Sequence, residues 1–394
     1  YIRRVIVVLL IKNGVILSPD HEGQKDVLTA GGNIEAIDEN IKLSGIECET
    51  IDAKDCYVVP GLIDSHVHIC GGGGEGGYKT RTPEITLTDI TMAGVITVVG
   101  VLGTDGTTRT MSNLLAKTYA LNEEGVTAYA YTGSYQIPVR TVTGSITDDL
   151  ILIEKIIGTG EIAVSDHRSS APTVEELSRI ASEARIGGML SGKAGIINLH
   201  LGDDRRPLDI LYRLLENSSI PITQFLPTHM NRNKWIFKDA VEFGLKGGYI
   251  DLTTSTVPKF IEDGEVSSSK AIRILLEEGV HLNQITVSSD GQGSLPVFDE
   301  AGKLKELKVG KSSSILECIR ELHFDEKLEI EKAIRIATSN PAEILRLRSK
   351  GRLKAGYDAD IVILKKESLE VDTVICKGRI MVRSGRAIVK GTFE

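Results

Sequence analysis

Between residues 58 and 291 the chain repeats one pattern eight times: a short apolar run, often opened by glycine, and then helical spacing. The runs are VVPGLIDSHVHI, GVITVVGVLG, GVTAYAYTGSY, EIAVSDHR, GIINLHLG, ITQFLPTHM, GYIDLTTS and QITVSSDG. Helical patterns between them include MSNLLAKTYALNEEG, VEELSRIASEARIGG, PLDILYRLLENSS, WIFKDAVEFGLKG and KAIRILLEEG. Eight strands alternating with helices specify an α/β chain folded as a (β/α)8 TIM barrel. A doubly wound sheet is disfavoured, because no G-x-G-x-x-G opens a helix after the first strand. The flanks read differently. VIVVLLIKNGVILS carries a hairpin signal at Asn13-Gly14, and DVLTAGGNIEAI turns at Gly31-Gly32-Asn33. Near the other end DADIVILK and VDTVICKGRIMVRSGRAIV are again strand-like. We therefore expect a small β-sandwich domain built from both termini, residues 1–58 plus 352–394, around a barrel at 59–351. The opening YIRRVIVVLLIKNG reads as a strand rather than a signal peptide, since Lys12 and Asn13 interrupt its apolar run.

In such a barrel the chemistry gathers where the strands end. The first run ends His66-Val67-His68. Side chains two apart on a strand share a face, so both imidazoles aim into the barrel mouth. The fourth run carries Glu161, Asp166, His167 and Arg168; the fifth reaches His200; the sixth reaches His229, with Asn231 and Arg232 beyond it; the eighth ends at Asp290. His21, His281 and His323 read as loop or surface residues. Imidazole and carboxylate ligands suit Zn²⁺. Four histidines with one bridging and one terminal carboxylate suffice for two metals, which can share a hydroxide of lowered pKa and polarise a carbonyl. That is equipment for hydrolysing an amide, with Asp290 taking the hydroxide's proton and handing it to the leaving amine.

Composition narrows the partners. The formal net charge is −8 and no basic stretch stands out, which argues against nucleic acid. No apolar run reaches the ~18 residues of a membrane span. The five cysteines are scattered without a C-x-x-C pair, which fits a reducing, cytoplasmic setting.

The stretches GGGGEGGYKTRTPE, GVLGTDGTTR, LLAKTYALNEEG, SDHRSSAP, LPTHMNRN and SSDGQGSLP resemble the metallo-type isoaspartyl (β-aspartyl) dipeptidases, peptidase family M38 of the amidohydrolase superfamily. The likeness runs from about residue 10 to the closing VKGTFE. It implies hydrolysis of the isopeptide bond of small β-aspartyl dipeptides, with another amidohydrolase activity, on cyclic amides or N-acyl amino acids, as the alternative. It implies His66, His68, His200 and His229 as metal ligands and Asp290 as ligand and general base. It puts Glu75 on the substrate's α-ammonium and Tyr135 on the scissile carbonyl and its oxyanion. It puts Arg168 and Arg232 on substrate carboxylate, helped by Thr104 and Ser294. It also implies a homo-oligomer, an octamer among the forms. Charge logic agrees, since a dipeptide with a free amine and two carboxylates needs an anion and cations around it, and Arg forks bind carboxylate well. One position departs from the pattern. Where the best-known members carry a carboxylated lysine on the fourth strand, this chain has Glu161. The expectation is a direct Glu161 bridge between two Zn²⁺ ions, with a single-metal site as the alternative. The nearest upstream lysine, Lys155, reads as part of the preceding helix.

Overall fold

The computed structural model describes residues 8–298 and 304–394; the first seven residues of the expected opening strand lie outside them. The N-terminal strands are β1 (Val8–Leu17), β2 (His21–Ala30), β3 (Asn33–Asp38), β4 (Glu49–Asp52) and β5 (Cys56–Pro60). The barrel strands are β6 (Leu62–Val67), β7 (Val95–Gly100), β8 (Thr127–Thr132), β9 (Ile156–Val164), β10 (Ile196–Leu201), β11 (Phe225–Thr228), β12 (Ile250–Thr253) and β13 (Ile285–Ser288). A hairpin of β14 (Ser294–Phe298) and β15 (Leu304–Val309) follows, and then β16 (Ile361–Lys365), β17 (Val371–Cys376), β18 (Arg379–Arg383) and β19 (Arg386–Ala387).

Strands β6 to β11 pair in sequence order as one curled parallel sheet, and β12 and β13 form a separate parallel pair. Single contacts span the two seams. Met230 N donates to Asp251 O (3.2 Å) between β11 and β12, and His68 N donates to Gly291 O (2.9 Å) where β6 meets the end of β13. Buried carboxylates reinforce both. Asp64 of β6 accepts from Ser289 N (3.0 Å) and Ser289 Oγ (2.5 Å). Asp251 of β12 accepts from Thr228 Oγ1 (2.5 Å) and Ser288 Oγ (2.6 Å). The result is a TIM-barrel-like domain with its strand ends converging on one mouth.

Strands from both ends of the chain join in one nine-stranded sheet, ordered β19-β18-β17-β16-β5-β1-β2-β3 with β4 along β1. The junction is the antiparallel pair β5–β16. Alternation along β16 shows why it is apolar throughout: Val362 and Leu364 pack into the barrel core, while Ile361 and Ile363 pack with Leu9, Ile11, Ile16 and Val58 in a second core. The expected hairpin at Asn13-Gly14 is absent. β1 runs straight through it, and the register with β2 shifts between Ile11 and Gly14, with Asn13 at φ 63°. The turn signal is used as a β-bulge instead of a chain reversal.

The five expected helices form, at Met111–Glu124, Val174–Ser191, Asp209–Glu216, Lys234–Leu245 and Ser268–Glu277. Side-chain caps fix the starts of three: Thr110 accepts from Asn113 N, Thr173 and Glu176 make a capping box, and Asn233 accepts from Ile236 N. Two expectations are corrected. Lys155 is not helical, because the helix Ile146–Leu152 ends before it and β9 starts at Ile156. His323 lies inside a helix, Ser313–Phe324, with Nδ1 against Leu328 O (3.1 Å). His21 begins β2 and is exposed, in keeping with its surface reading.

Candidate active site

The barrel mouth gathers most of the expected residues in one buried cluster. Two groups have ligand atoms lying within 4.8 Å of one another: His66, Glu161 and His229, and His66, His68 and Asp290. His66 Nε2 lies 3.2 Å from Glu161 Oε2 and 3.8 Å from Asp290 Oδ1, and His68 Nε2 lies 3.1 Å from Asp290 Oδ1. His229 Nε2 lies 3.3 Å from Glu161 Oε2. His200 stands beside these groups rather than in them: Nδ1 is 3.0 Å from Glu161 Oε2 and 2.8 Å from Tyr135 Oη, and Nε2 is 2.9 Å from Asp166 Oδ2. Glu161 thus touches His66, His200 and His229 at once. Lys155 is far from such a role; its Nζ pairs with Glu154 (3.0 Å).

These residues fit a bound cation. His66 Nε2, Glu161 Oε1 and Asp290 Oδ1 are buried and make no hydrogen bond, although buried polar atoms nearly always find partners. The donor set of imidazole nitrogen and carboxylate oxygen is the one zinc-type ions use. Neighbours that sequence reading missed orient the rings. Asn198 donates Nδ2–H to Leu226 O (3.2 Å), so its Oδ1 faces His66 Nδ1 (3.0 Å) and must accept from it. That turns Nε2 of His66 toward the cluster, where it can give a lone pair to a cation once its proton is lost. Thr253 does similar work at His229 Nδ1 (2.6 Å). Asn198 was findable: it sits two residues before His200 on β10, so it shares that face.

Electrostatics follow from the packing. Burial alone would raise the Glu161 carboxyl, but His66 and His200 outweigh it and hold it well below the usual carboxylate range. Burial and the Arg232 cation push His229 down to about 3, so it stays neutral. Burial opposes charge on His66, yet Glu161 lifts it to about 9. Burial would raise Asp290, but the neighbouring His68 imidazole outweighs it and holds the carboxyl below its ordinary value. Burial pushes the Tyr135 hydroxyl far up, so it keeps its proton and remains a donor.

The rim carries the other expected residues. Glu75 Oε1 accepts from Thr104 Oγ1 (3.0 Å) and faces Arg168 Nη1 (3.4 Å). Arg168 is forked onto Asp166, with Nε on Oδ1 (2.9 Å) and Nη2 on Oδ2 (2.7 Å). Arg232 Nη1 lies 3.5 Å from both His200 Nε2 and Leu201 O. A cavity of about 250 Å³ beside Glu75 is lined by Tyr78, Arg81, Thr104 and Asp105. Ser294 lies at the base of the hairpin, against the glycine loop: a Cβ on Gly73 would come 3.1 Å from Ser294 Cβ and 2.7 Å from Thr80 O. With Gly73 at φ 67°, the loop is bare because it folds tightly on its own neighbours, and not only to admit a ligand.

Two sections of the chain, residues 49–189 and 229–381, match models of the amidohydrolase family. A dihydroorotase of Aquifex aeolicus (strain VF5) is 25% identical over 94% of this chain and 93% of its own. A barrel with buried histidine and carboxylate ligands at its mouth, matched in this way, defines an amidohydrolase. The solved structure of a beta-aspartyl dipeptidase from Fervidobacterium islandicum AW-1, in complex with beta-Asp-Leu dipeptide, superposes with a TM-score of 0.91 at 44% identity over 98% of both chains. The chain belongs to the beta-aspartyl dipeptidase family. A dihydropyrimidinase from Brevibacillus agri NCHU1002 shares the fold alone, with a TM-score of 0.68 at 16% identity.

Proposed function

We propose that this protein is a metal-dependent isoaspartyl dipeptidase that hydrolyses the β-linked amide of small β-aspartyl dipeptides. The observation that carries the reading is the placement of the Glu75–Arg168 pair, 3.4 Å apart, on the rim above the buried histidine–carboxylate cluster. An anion and a cation so close suit the ends of a zwitterion. His66, His68, His200, His229, Glu161 and Asp290 would hold zinc, with Glu161 serving two ions where relatives of this pattern use a carboxylated lysine. Bound there, zinc supplies an activated water near neutral pH and polarises an amide carbonyl.

The chain's own groups do the rest. Glu75, oriented by Thr104, takes the substrate's α-ammonium. Arg168 and Arg232 take carboxylate, and Ser294 borders the site. Tyr135 donates its hydroxyl hydrogen to the oxygen on which charge develops, a kind of contact worth on the order of 100- to 1,000-fold in rate. Asp290, ionised at neutral pH, accepts a proton from the attacking water and delivers it to the leaving amine.

The test is hydrolysis of β-Asp-Leu and α-Asp-Leu by protein whose zinc content has been measured. Cleavage of the β-linked dipeptide alone, loss of activity on chelation, recovery with Zn²⁺ and two zinc equivalents per chain are expected. No cleavage of β-Asp-Leu ends the reading. One tight equivalent per fully active chain ends the Glu161 bridge.

A further inference from the structure

Asp166 is a buried carboxylate for which neither metal binding nor substrate binding has yet given a task. It sits in the turn after β9, where Ser165 takes φ 57° and Ser169 N closes back on Asp166 O (2.9 Å). Three donors of Arg168 converge on it. The backbone N (2.7 Å) and Nε (2.9 Å) reach Oδ1, and Nη2 reaches Oδ2 (2.7 Å). This side-on fork consumes one edge of the guanidinium. The Tyr135 ring covers a face, with its centroid 5.3 Å from Arg168 Cζ. What Asp166 leaves unused is Nη1, which pairs with Glu75 (3.4 Å). Asp166 is itself locked. A Cβ on Gly202, just past β10, would stand 2.3 Å from Asp166 Cβ and 2.4 Å from its Cα, so a glycine is what lets β10 lie flat against this turn.

We infer that Asp166 is a positioning residue for substrate recognition: it fixes Arg168 before substrate arrives and presents Nη1 as a pre-oriented cation beside Glu75. A loose arginine would have to surrender its side-chain freedom on binding, and a pre-fixed one does not. The inference rests on the reading of Arg168 as a carboxylate-binding residue. A rival role exists on the page, because Asp166 Oδ2 also lies 2.9 Å from His200 Nε2 and could serve that ring instead.

Steady-state kinetics of zinc-loaded Asp166→Asn, Arg168→Met and the double variant on β-Asp-Leu separate these cases. The fork predicts that Asp166→Asn raises KM about 10- to 100-fold while kcat stays within about threefold. Zinc content should be unchanged. In the Arg168→Met background, Asp166→Asn should change KM less than about twofold, because its partner is already gone. If Arg168→Met itself leaves KM unchanged, the reading of Arg168 falls, and this role with it. A KM rise in Arg168→Met with none in Asp166→Asn overturns the positioning role alone. Zinc loss in step with activity, or a KM effect that persists in the double variant, also overturns it, and the first of these assigns Asp166 to His200. Should the Asn variant fail to fold, Asp166→Ser carries the same predictions.

Discussion

Glu75 meets two partners through one oxygen, the Thr104 hydroxyl at 3.0 Å and Arg168 Nη1 at 3.4 Å, and it keeps 34% of its side-chain surface open. Glutamine there preserves shape and can still accept from Thr104, but it cannot pair with an ammonium. Glu75→Gln should therefore raise KM for β-Asp-Leu by about 10- to 100-fold and leave zinc content as it was. Parallel loss of zinc, measured by elemental analysis, would move Glu75 into the metal centre. At this scale the sequence was readable where chemistry and period coincide. His66 and His68 announce themselves because a two-residue step keeps them on one face, and His200 and His229 because they end their runs. Thr253 was silent because neutral polar residues in strands are common and carry no charge signature, and Asn198 has only its two-residue step from His200 to mark it. Asp105, given no task from sequence, proves to tie the glycine loop down. It pairs with Arg81 (2.7 Å) and accepts from Thr107 N and Thr108 N (3.0 and 2.8 Å). Burial would raise it, but the Thr108 hydroxyl, together with those bonds, outweighs burial and holds it down at about 2.

Among the elements, the barrel's two weakly paired seams are where buried carboxylates carry the contact. Eight strands and five helices were legible because apolar runs and helical spacing alternate so regularly. The break of the ladder at β11–β12 and β13–β6 was not, since hydrogen-bond pairing leaves no mark on the order of residue types. Nor was the earlier start of β9, because Ile156-Ile157-Gly158 is apolar enough to continue a helix or to open a strand. Where the ladder fails, Asp64 and Asp251 stand in, and burial dominates both. It pushes Asp64 up to about 6 and Asp251 up to about 7, against hydrogen bonds from Ser289 and Ser288 that act the other way. The folded value of Asp251 lies above the ~3.9 of an unfolded Asp, so the stability it lends the metal-free chain is fully present below about pH 4 and lost as pH rises through about 7. Asparagine is neutral throughout. The stability of metal-free Asp251→Asn relative to wild type should thus improve between about pH 5 and about pH 8 in urea titrations. A difference that stays flat over that range would show that Asp251 ionises without cost in the fold.

At the scale of the whole molecule, the question is what holds the terminal sheet to the barrel floor. Apolar packing supplies part of it, through Val59, Val362, Leu364 and Met381 in the main core. A buried ion cluster supplies direction. Lys350, with 4% of its side chain exposed, donates to Thr127 Oγ1 of β8 (2.7 Å) and pairs with Asp360 and with Asp358 (2.7 Å), both just ahead of β16. Asp360 also accepts from Lys377 N (2.7 Å), and its carbonyl from Gly61 N (2.9 Å), so one short stretch is bonded to the entry of the barrel and to β17's turn. Burial works against the Lys350 ammonium, but Asp360 and Asp358 more than offset it, and its pKa is raised. Lys350→Met leaves those carboxylates facing an apolar neighbour, and breaking a buried pair on one side costs about 3–5 kcal/mol. The urea midpoint should fall accordingly, and Asp360→Asn added to Lys350→Met should recover part of the loss by removing the stranded charge. The sign of the pH dependence is opposite to that of a carboxylate pair with depressed values. A raised lysine contributes in full below the ~10.4 of the unfolded side chain and loses its contribution only as pH climbs through the folded value. The gap between wild type and Lys350→Met should therefore be the same at about pH 7 and about pH 9. If it has already closed by the higher of these, Lys350 is not held charged by Asp358 and Asp360, and the tie between sheet and barrel rests on apolar packing alone.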